Sequence, residues 1–319
     1  MVASQLDPEL YDVVVVGGGT AGLSGALLLA RARRSVLVVD SQEPRNASAR
    51  AVHGYLTVDG LPPAVVLARG AAEVRNYGGI VRSGTVEAAR ARGDVFEVSL
   101  TDGSQVRGRR LLITTGLIDE LPDVRGLTER WGRDVFHCPY CHGWEVRDEA
   151  VGMLATDKSA VDEVLLLRQW TANLTLLTHR GPTPSRTQRR QLDACGITLV
   201  EGIVESLAGR DDHLRGVYLS DGAVVRLQAL VVTPVLKPRA GVLISLGVKL
   251  SEDEGTCVVT DESGATSVQG VWVAGNLNDP TAQAVDAASS GSRAAMALNL
   301  DLVQEDVARA VSAAGTPSG

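Results

Sequence analysis

Short apolar runs alternate with longer amphipathic stretches along most of the chain. Residues 11–16, with the sequence YDVVVV, contain four consecutive β-branched residues, which is typical of a parallel strand buried on both faces. Strands that alternate with helices predict an α/β protein with parallel sheets. The pattern predicts further strands at 35–39, 111–116, 151–154, 174–178 and 270–276, helices at 23–32, 64–77, 158–170 and 282–302, and a loop at 117–137.

The first predicted strand, helix and strand carry a glycine motif. Residues 17–22 have the sequence GGGTAG, and Asp40 ends the second strand. In such a unit the glycines permit a tight turn and let backbone N–H groups approach a pyrophosphate at the helix N-terminus, while the acid holds a ribose hydroxyl. The complete unit predicts a bound dinucleotide. The alternative is a glycine-rich turn without a ligand.

A second feature is a pair of cysteines in the sequence CPYCHG at 138–143. Cys138 and Cys141 lie two residues apart, and His137 and His142 flank them. This spacing can close a small disulfide ring that opens and recloses easily. A Cys-x-x-Cys thiol often has a lowered pKa because its neighbours stabilise the thiolate. The motif therefore indicates redox chemistry.

Two other interpretations of the cysteine pair are weaker. A structural zinc site usually needs a second close pair of ligands, and Cys195 and Cys257 do not form one, so no metal site is predicted. A purely structural disulfide does not fit a reducing compartment.

Composition narrows the classes of partner. A net charge of −7 and an aromatic fraction of 3% argue against nucleic-acid binding. The longest apolar runs are far too short to span a bilayer, and the first ten residues lack the pattern of a signal peptide. We therefore expect a soluble, cytoplasmic protein.

In their order and spacing, these motifs resemble the low-molecular-weight thioredoxin reductases along the whole chain. The resemblance rests on GGGTAG with Asp40, TTG at 114–116, CPYCHG, a second strand–helix–strand unit, and AGN at 274–276. The variant CPYCHGWE is most similar to flavin dithiol oxidases, which close disulfides in sulfur natural products of the gliotoxin and holomycin kind. Their electron acceptor is oxygen.

The resemblance implies two Rossmann-like nucleotide-binding domains. An FAD-binding domain at 1–116 and 239–310 is interrupted by a smaller, NADPH-domain-like insert at 117–238 that carries the dithiol, and a disordered tail follows at 311–319. A homodimer is also implied. The residues implied to hold FAD are Gly17, Gly19, Thr20, Ala21, Gly22, Asp40, Thr115, Gly116, Gly275, Asn276, Gln283 and Ala284. Asn276 departs from the aspartate that the family usually has there.

Roles within the dithiol follow from the same resemblance. Cys141 is implied to face the flavin and Cys138 to exchange with the substrate. His142 stands where reductases commonly carry an acid, and an imidazole can take a thiol proton near neutral pH. We expect His142 to be the base rather than a packing residue. His137 is a second candidate for which packing is favoured, and His53 is a candidate for the substrate pocket.

The second strand–helix–strand unit has lost its glycine motif. Ala155 and Asp157 stand where a dinucleotide-binding motif has its first two glycines. The Cβ of Ala155 crowds the turn, and the carboxylate of Asp157 repels the incoming pyrophosphate. The basic pair that the family uses for the NADPH 2′-phosphate survives only as His179-Arg180, with Arg186 further on. A rescue of the site by Lys158 is the alternative.

These observations favour an FAD-dependent dithiol oxidase. Electrons would pass from a small-molecule dithiol through Cys138 and Cys141 to FAD and then to O2, giving H2O2, as a step of antibiotic biosynthesis. An NADPH-dependent thioredoxin or disulfide reductase is the first alternative. A redox-sensing flavoprotein that binds a partner is the second.

Overall fold

The computed structural model describes residues 9–210, 212–251 and 258–314, so Cys257 lies outside the described residues. The strands and helices are numbered separately in chain order. The strands are β1 (Leu10–Val16), β2 (Val36–Asp40), β3 (Ile80–Ser83), β4 (Val86–Arg92), β5 (Val95–Leu100), β6 (Gln105–Ile113), β7 (Leu117–Glu120), β8 (Val135–Phe136), β9 (Val151–Leu154), β10 (Leu174–Leu177), β11 (Thr198–Val200), β12 (Val204–Arg210), β13 (His213–Leu219), β14 (Val224–Val225), β15 (Ala229–Val232), β16 (Val235–Pro238) and β17 (Val271–Val273). The helices are α1 (Thr20–Arg31), α2 (Pro63–Asn76), α3 (Pro139–His142), α4 (Ala160–Leu167), α5 (Arg186–Ala194), α6 (Gly241–Ser245) and α7 (Ala284–Ala314).

The chain folds into two compact units. Unit 1 comprises Met1–Ala47, Ala64–Ile118 and Leu236–Gly319, and unit 2 comprises Ser48–Pro63 and Asp119–Val235. Their boundaries after 118 and before 236 lie within a few residues of the predicted insert. The segment Ser48–Pro63, which the sequence placed in the FAD domain, groups with the insert instead.

Unit 1 is built on one large sheet. Parallel strands run in the order β3-β2-β1-β6; β5 and β4 continue the sheet with antiparallel pairing, and β17 pairs in parallel with the second half of β6. Side chains alternate along the buried strands: Val13 and Val15 belong to one core cluster, and Val14 and Val16 to the other. Because both faces of the sheet are covered there, residues 13–16 of β1 form an uninterrupted apolar run.

Helices α1 and α7 cross closely in unit 1. A Cβ at Gly291 would overlap the carbonyl of Ala21, and a Cβ at Gly25 would lie 3.0 Å from the carbonyl oxygen of Gly291. The crossing needs glycine on both helices. It fixes the start of α1 next to the segment that precedes α7.

The C-terminal helix is longer than predicted. It continues to Ala314, so residues 311–314 are helical, and the prediction of disorder was wrong for them; residues 315–319 lie outside the described residues. Ion pairs explain the extension. Arg110 Nε lies 2.5 Å from Asp301 Oδ2 and its Nη2 lies 2.8 Å from Glu305 Oε2, while Arg109 Nη2 lies 2.5 Å from Asp306 Oδ1.

Unit 2 contains a second parallel sheet, with the strand order β11-β10-β9-β15-β8. The antiparallel sheet β12-β13-β14 accompanies it. The region 117–137 is not a simple loop: it holds β7, a 3-10 turn at Thr128–Arg130, and β8. Strand β8 was missed because it is two residues long and gains its stability from pairing with β15, which is remote in sequence. The α/β class with two Rossmann-like domains is confirmed.

Within the described part of the chain, no helix combines the length and apolar character needed to cross a membrane.

Candidate active site

In the turn between β1 and α1, Gly17, Gly19 and Gly22 each have a different structural role. Gly17 has φ +104°, a conformation that side chains rarely adopt, and a Cβ there would lie 2.6 Å from the carbonyl oxygen of Thr114. A Cβ at Gly22 would overlap the carbonyl oxygen of Gly17. At Gly19, by contrast, no atom of the described residues, other than those of its two chain neighbours, lies within 4 Å of the Cβ position. Space is therefore kept beside the helix N-terminus, where a pyrophosphate would approach.

Helix α1 has no side-chain cap. Gly19 is its N-cap residue and offers no side-chain acceptor to the first-turn N–H groups, among them those of Ala21 and Gly22. Helix α5, whose Ser185 and Gln188 form a capping box, shows how the same chain satisfies such groups elsewhere. The N–H groups without a side-chain cap and the open space at Gly19 fit an anionic phosphate ligand.

Asp40 lies beside this turn. Its Oδ1 accepts a hydrogen bond of 3.0 Å from the Gly18 backbone N–H. The registers pair Val16 with Val39 and with Ile113, so β1, β2 and β6 end side by side. The predicted cofactor residues that follow these strands share the carboxyl edge of one parallel sheet, where such sheets bind nucleotides.

Two further predicted positions at this edge hold backbone turns. Gly116 has φ +69° and its carbonyl accepts the Arg239 N–H at 3.0 Å, while Thr115 Oγ1 donates to the Arg239 carbonyl at 2.8 Å. Gly275 has φ +76°, and its N–H donates to Ser290 Oγ at 2.9 Å. A Cβ at Gly275 would lie 2.9 Å from the Ala21 Cβ, which brings the AGN segment against α1.

Asn276 has a local structural role. Its side-chain nitrogen donates to the carbonyls of Asp279, Pro280 and Ala282 at 3.2, 3.3 and 2.8 Å. An aspartate could not donate these bonds. The amide therefore ties down the loop before α7, and Gln283 and Ala284, both half-buried, lie where that helix begins.

The two cysteines of the motif form a disulfide in unit 2. Cys138 and Cys141 have Cα atoms 5.3 Å apart, and both side chains are half-buried. The backbone N–H of Cys141 donates to Cys138 Sγ at 3.2 Å. When the pair is reduced, this donor stabilises a thiolate at Cys138, which suits the sulfur that exchanges with a substrate.

His142 is a half-buried neighbour of the disulfide. Its ring packs on Phe136, with centroids 4.7 Å apart. Burial lowers the pKa of His142; the charge of Glu145 and a backbone hydrogen bond to Arg133 oppose this change, and the charges of His53 and Arg50 add to it. A neutral imidazole near neutral pH can accept a thiol proton.

His137 occupies a different environment. It is exposed, and its ring stacks on Trp131 with centroids 5.9 Å apart. Tyr140 and Trp144, which flank Cys141, are 63% and 65% exposed, and Tyr140 packs edge-on against Trp170. The chain has only 11 aromatic residues, two Phe, five Tyr and four Trp, yet several of them surround the dithiol. An apolar surface therefore borders the reactive pair.

His53 lies in the same unit as the disulfide. Its Nε2 is 3.4 Å from Glu145 Oε1, and its Nδ1 is 3.5 Å from Asp59 Oδ1. Glu145 lies only four residues after Cys141, so its position in CPYCHGWE was a signal that sequence reasoning did not use. The pairing itself could not be read from the sequence because His53 belongs to a distant segment.

In the second strand–helix–strand unit, side chains of the unit itself occupy the N-terminus of α4. Asp157 Oδ1 accepts the Ser159 N–H at 2.7 Å, and Ser159 Oγ lies 2.6 Å from the same oxygen. Glu163, in the first turn of α4, places Oε1 2.6 Å from Ser159 Oγ and Oε2 3.0 Å from Thr233 Oγ1. Two carboxylates thus stand where the fingerprint would leave room for a pyrophosphate.

The remnant of the basic pair is also changed. His179 Nδ1 accepts the Val204 backbone N–H at 3.1 Å, so the ring is used within the fold. Burial lowers the pKa of His179, and the charge of Arg180 lowers it further. A neutral His179 supplies no positive charge for a 2′-phosphate.

Comparisons with known proteins show which family and which structures the chain is similar to. The family model described as pyridine nucleotide-disulphide oxidoreductase matches residues 11–292. Thioredoxin reductase sirT of Leptosphaeria maculans is 30% identical over 318 residues, which cover 94% of this chain and 97% of that protein. The crystal structure of HlmI superposes with a TM-score of 0.90 at 46% identity, covering 95% of this chain and 96% of HlmI. An oxidoreductase from Agrobacterium tumefaciens gives a TM-score of 0.86 at 33% identity, covering 92% and 98%.

Proposed function

The chain belongs to the pyridine nucleotide-disulphide oxidoreductase family, and within it we propose an FAD-dependent dithiol oxidase that closes an intramolecular disulfide in a small-molecule natural product. The chain is an oxidoreductase of the thioredoxin reductase-like disulfide type. FAD is its cofactor. The open space at Gly19, the uncapped start of α1 and Asp40 fit the pyrophosphate and ribose of that cofactor.

The observation that carries the proposal is the state of the second nucleotide site. A reductase draws its electrons from NADPH, whose pyrophosphate would meet the carboxylates of Asp157 and Glu163 at the start of α4. Like charges repel strongly in a partly desolvated site. With that donor disfavoured, the dithiol becomes the source of electrons rather than their destination.

The chemistry at the cysteines follows from exchange. A substrate thiolate attacks Cys138 Sγ, the bond between Cys138 and Cys141 breaks, and the second substrate thiolate then displaces Cys138 as the substrate disulfide closes. His142, neutral near pH 7, accepts a thiol proton. FAD, held by the turn at Gly17–Gly22 and by Asp40, would supply the route by which two electrons leave the reduced cysteine pair for O2, giving H2O2.

A direct test compares electron donors. Purified protein mixed with a reduced dithiolopyrrolone in air is expected to consume O2 and release H2O2, while NADPH gives neither. Under anaerobic conditions the dithiol alone should bleach the flavin absorbance. Rapid anaerobic bleaching by NADPH alone would contradict the proposal.

An NADPH-dependent disulfide reductase is the second candidate, because sirT and other relatives bear the name thioredoxin reductase. It predicts the opposite donor preference, so the same experiment separates the two. Adding oxidised thioredoxin with NADPH completes the comparison, since only a reductase would then consume NADPH.

We also infer a cytoplasmic homodimer. Helix α7 presents an apolar stripe to solvent, formed by Met296, Leu300, Val303, Val307 and Val311. The spacings of three and four residues place all five on one helix face. A second copy of the chain, with the same apolar stripe, is the occupant that fits.

A charge placed in this stripe should separate the protomers. We expect Leu300→Glu to shift the sedimenting mass from two chains to one, because the substitution leaves an unpaired charge in an apolar contact. Ser312→Glu, exposed on a different face of α7, is the matched control and should remain dimeric. A wild-type protein that sediments as one chain would refute the inference.

A further inference from the structure

Trp144 is exposed to solvent but fixed in position. Its side chain is 65% exposed. The guanidinium carbon of Arg147 lies 4.3 Å from the centre of the indole ring, and Arg147 Nη1 donates to the Trp144 carbonyl at 2.8 Å. In the next residue, Glu145 Oε1 lies 3.4 Å from His53 Nε2, which ties the turn to the segment Ser48–Pro63. Arg147 therefore covers one face of the indole, and the rest of the ring is open to a ligand.

Tyr140 is a second exposed ring with a firm support. It packs edge-on against Trp170, with centroids 5.5 Å apart and planes at 87°. Trp170 is half-buried and lies directly against the turn, since a Cβ at Gly143 would be 2.8 Å from its Cδ2 atom. The Asp148 N–H donates to the Trp170 carbonyl at 3.1 Å. One edge-on contact covers only part of the tyrosine ring, so most of it faces solvent.

The two exposed rings lie next to the reactive sulfurs. Tyr140 stands between the cysteines and is bonded to Cys141, so their Cα atoms are only about 3.8 Å apart. Helix α3 covers Pro139–His142, and Gly143 keeps helical dihedral angles of −65° and −32°. Residues three and four apart share one side of a helical turn, which places Trp144 beside both Cys141 and Tyr140. A molecule joined to a sulfur of the pair therefore has both rings within reach.

Aromatic side chains are scarce in the chain as a whole but concentrated near the disulfide. The chain has 11 of them, and this part of unit 2 holds Trp131, Phe136, Tyr140, Trp144 and Trp170. Exposed apolar surface that is contiguous, rather than scattered singly, marks a site of interaction. The two exposed rings are therefore the candidates for contact with a substrate.

The size of this surface fits a small molecule better than a protein. Two aromatic side chains bury roughly 300–500 Å² at most. A protein partner in a stable complex covers about 800 Å² on each side. Flat rings bind aromatic side chains by offset stacking or edge-on contact. Because Arg147 already places a cation on Trp144, an uncharged ring fits there better than a positively charged one.

We propose that Tyr140 and Trp144 are specificity-determining residues that bind a flat, uncharged ring of the substrate, so that the chain prefers dithiols whose sulfurs are carried on an unsaturated ring. The inference rests on the proposed dithiol oxidase function and names the substrate class for it. Arg147 and Trp170 are positioning residues, because they act through the two exposed rings.

A bound ring would favour both exchange steps described above. The first substrate sulfur is bonded to Cys138 while the second still has to attack. A ring held against Tyr140 and Trp144 keeps the second thiol close to that bond, which lowers the entropic cost of closing the substrate disulfide.

The test compares three dithiols that differ in the group carrying the sulfurs. In 1,2-benzenedimethanethiol this group is a flat ring, in 1,2-bis(mercaptomethyl)cyclohexane it is a saturated ring on the same skeleton, and dithiothreitol has no ring. All three close a cyclic disulfide of the same ring size. Reduction of the Cys138–Cys141 disulfide is measured without oxygen by acid quench, thiol alkylation and mass spectrometry.

Loss of either exposed ring should slow the flat-ring dithiol selectively. We expect Tyr140→Ser and Trp144→Ser each to lower its rate about threefold to tenfold, the range of one aromatic pair. The saturated-ring dithiol should lose less, and dithiothreitol should change by less than about twofold, because it has no ring to stack. Tyr140→Phe and Trp144→Phe keep a ring and should retain most of the rate. Dividing each variant's rate by that of the wild type removes differences in thiol reactivity between the dithiols.

Control variants separate binding of the ring from a general effect on the fold. Tyr218→Ser, at an exposed tyrosine of β13 in the same unit, should match the wild type with all three dithiols. Arg147→Met should show the same selectivity as Trp144→Ser, whereas a merely structural role would slow all three dithiols alike. Equal losses with every dithiol, or no loss, would overturn the proposal. A loss seen only with reduced thioredoxin would assign the rings to a protein partner and would also overturn it.

A binding measurement distinguishes failure of this inference from failure of the oxidase function. The compound 1,2-bis(methylthiomethyl)benzene has the same flat ring but no thiol, so it cannot react with the cysteines. It should shift the indole N–H NMR signal of Trp144, assigned with Trp144→Phe, and leave the signal of the buried Trp272 unchanged. Absence of that shift would refute the inference even where dithiols yield H2O2. With the shift present, a wild type that gives no H2O2 from dithiols in air would refute the oxidase function alone.

Discussion

Cys138→Ser should abolish the proposed dithiol oxidation, with a loss of roughly a thousandfold or more, because the sulfur that the substrate thiolate attacks is removed. Cys141→Ser has the same effect on turnover, because exchange needs both sulfurs. The flavin content should be unchanged in both variants, since the residues predicted to hold the cofactor lie in unit 1 and the cysteines in unit 2. Oxygen uptake with a dithiol, divided by flavin concentration, is the measurement.

The two cysteine variants should differ in their remaining thiol. In Cys141→Ser the residual Cys138 keeps its place at the N-cap of α3, beside the backbone N–H of residue 141, and should react rapidly with the aromatic disulfide 5,5′-dithiobis(2-nitrobenzoic acid). The residual Cys141 of Cys138→Ser should react more slowly. Cys195→Ser, at a half-buried free cysteine, is the control for turnover. Equal thiol reactivity in the two variants would refute the assignment of Cys138 as the exchanging sulfur.

Gly19→Ala should give a folded protein that loses FAD. Apart from its two chain neighbours, no described residue has an atom within 4 Å of the new Cβ, so the fold accepts it, but the methyl group occupies the space proposed for the pyrophosphate. We expect the affinity for FAD to fall at least about tenfold, or about 1.4 kcal/mol. Visible absorbance of the purified protein and titration of the apoprotein with FAD measure the effect.

A second glycine variant tests whether FAD is lost because the space at Gly19 is filled, rather than because a glycine is replaced by alanine. Gly241 also has open space around its Cβ position, but it starts α6, whose Ser245 bonds to Ala89 of β4, so Gly241→Ala should retain FAD. Gly22→Ala should behave differently from both, because its Cβ would overlap the Gly17 carbonyl and distort the turn itself. Full flavin retention in Gly19→Ala would show that the open space does not hold the cofactor.

Local patterns predicted the parts of the fold that local interactions build. The first strand, the glycine turn and Asp40 follow one another within a short stretch, and the structure joins them by the hydrogen bond between Gly18 and Asp40. The loss at Asp157 was also visible from the sequence. The hydrogen-bond partner of Asp157 was not visible from the sequence: its carboxylate accepts the Ser159 N–H at the start of α4. A pyrophosphate would therefore have to displace this hydrogen bond as well as overcome the repulsion between negative charges.

Long-range pairs account for what the sequence could not reveal. The extension of α7 depends on Arg109 and Arg110, which β6 holds against the acidic residues of that helix. The environment of His142 depends on His53 and Arg50, which lie in a remote segment. Periodicity reports which face of an element is apolar, but it carries no information on which charged groups from other segments will face it.

The grouping of Ser48–Pro63 with Asp119–Val235 has a practical meaning for recombination between relatives. The chain passes between its two units four times, so the dithiol-bearing unit is encoded by two separate stretches. A chimera that exchanges only the longer stretch would transplant the cysteines and His142 while keeping the recipient's version of the segment that carries His53. Exchange of substrate preference between relatives should therefore require both stretches to move together.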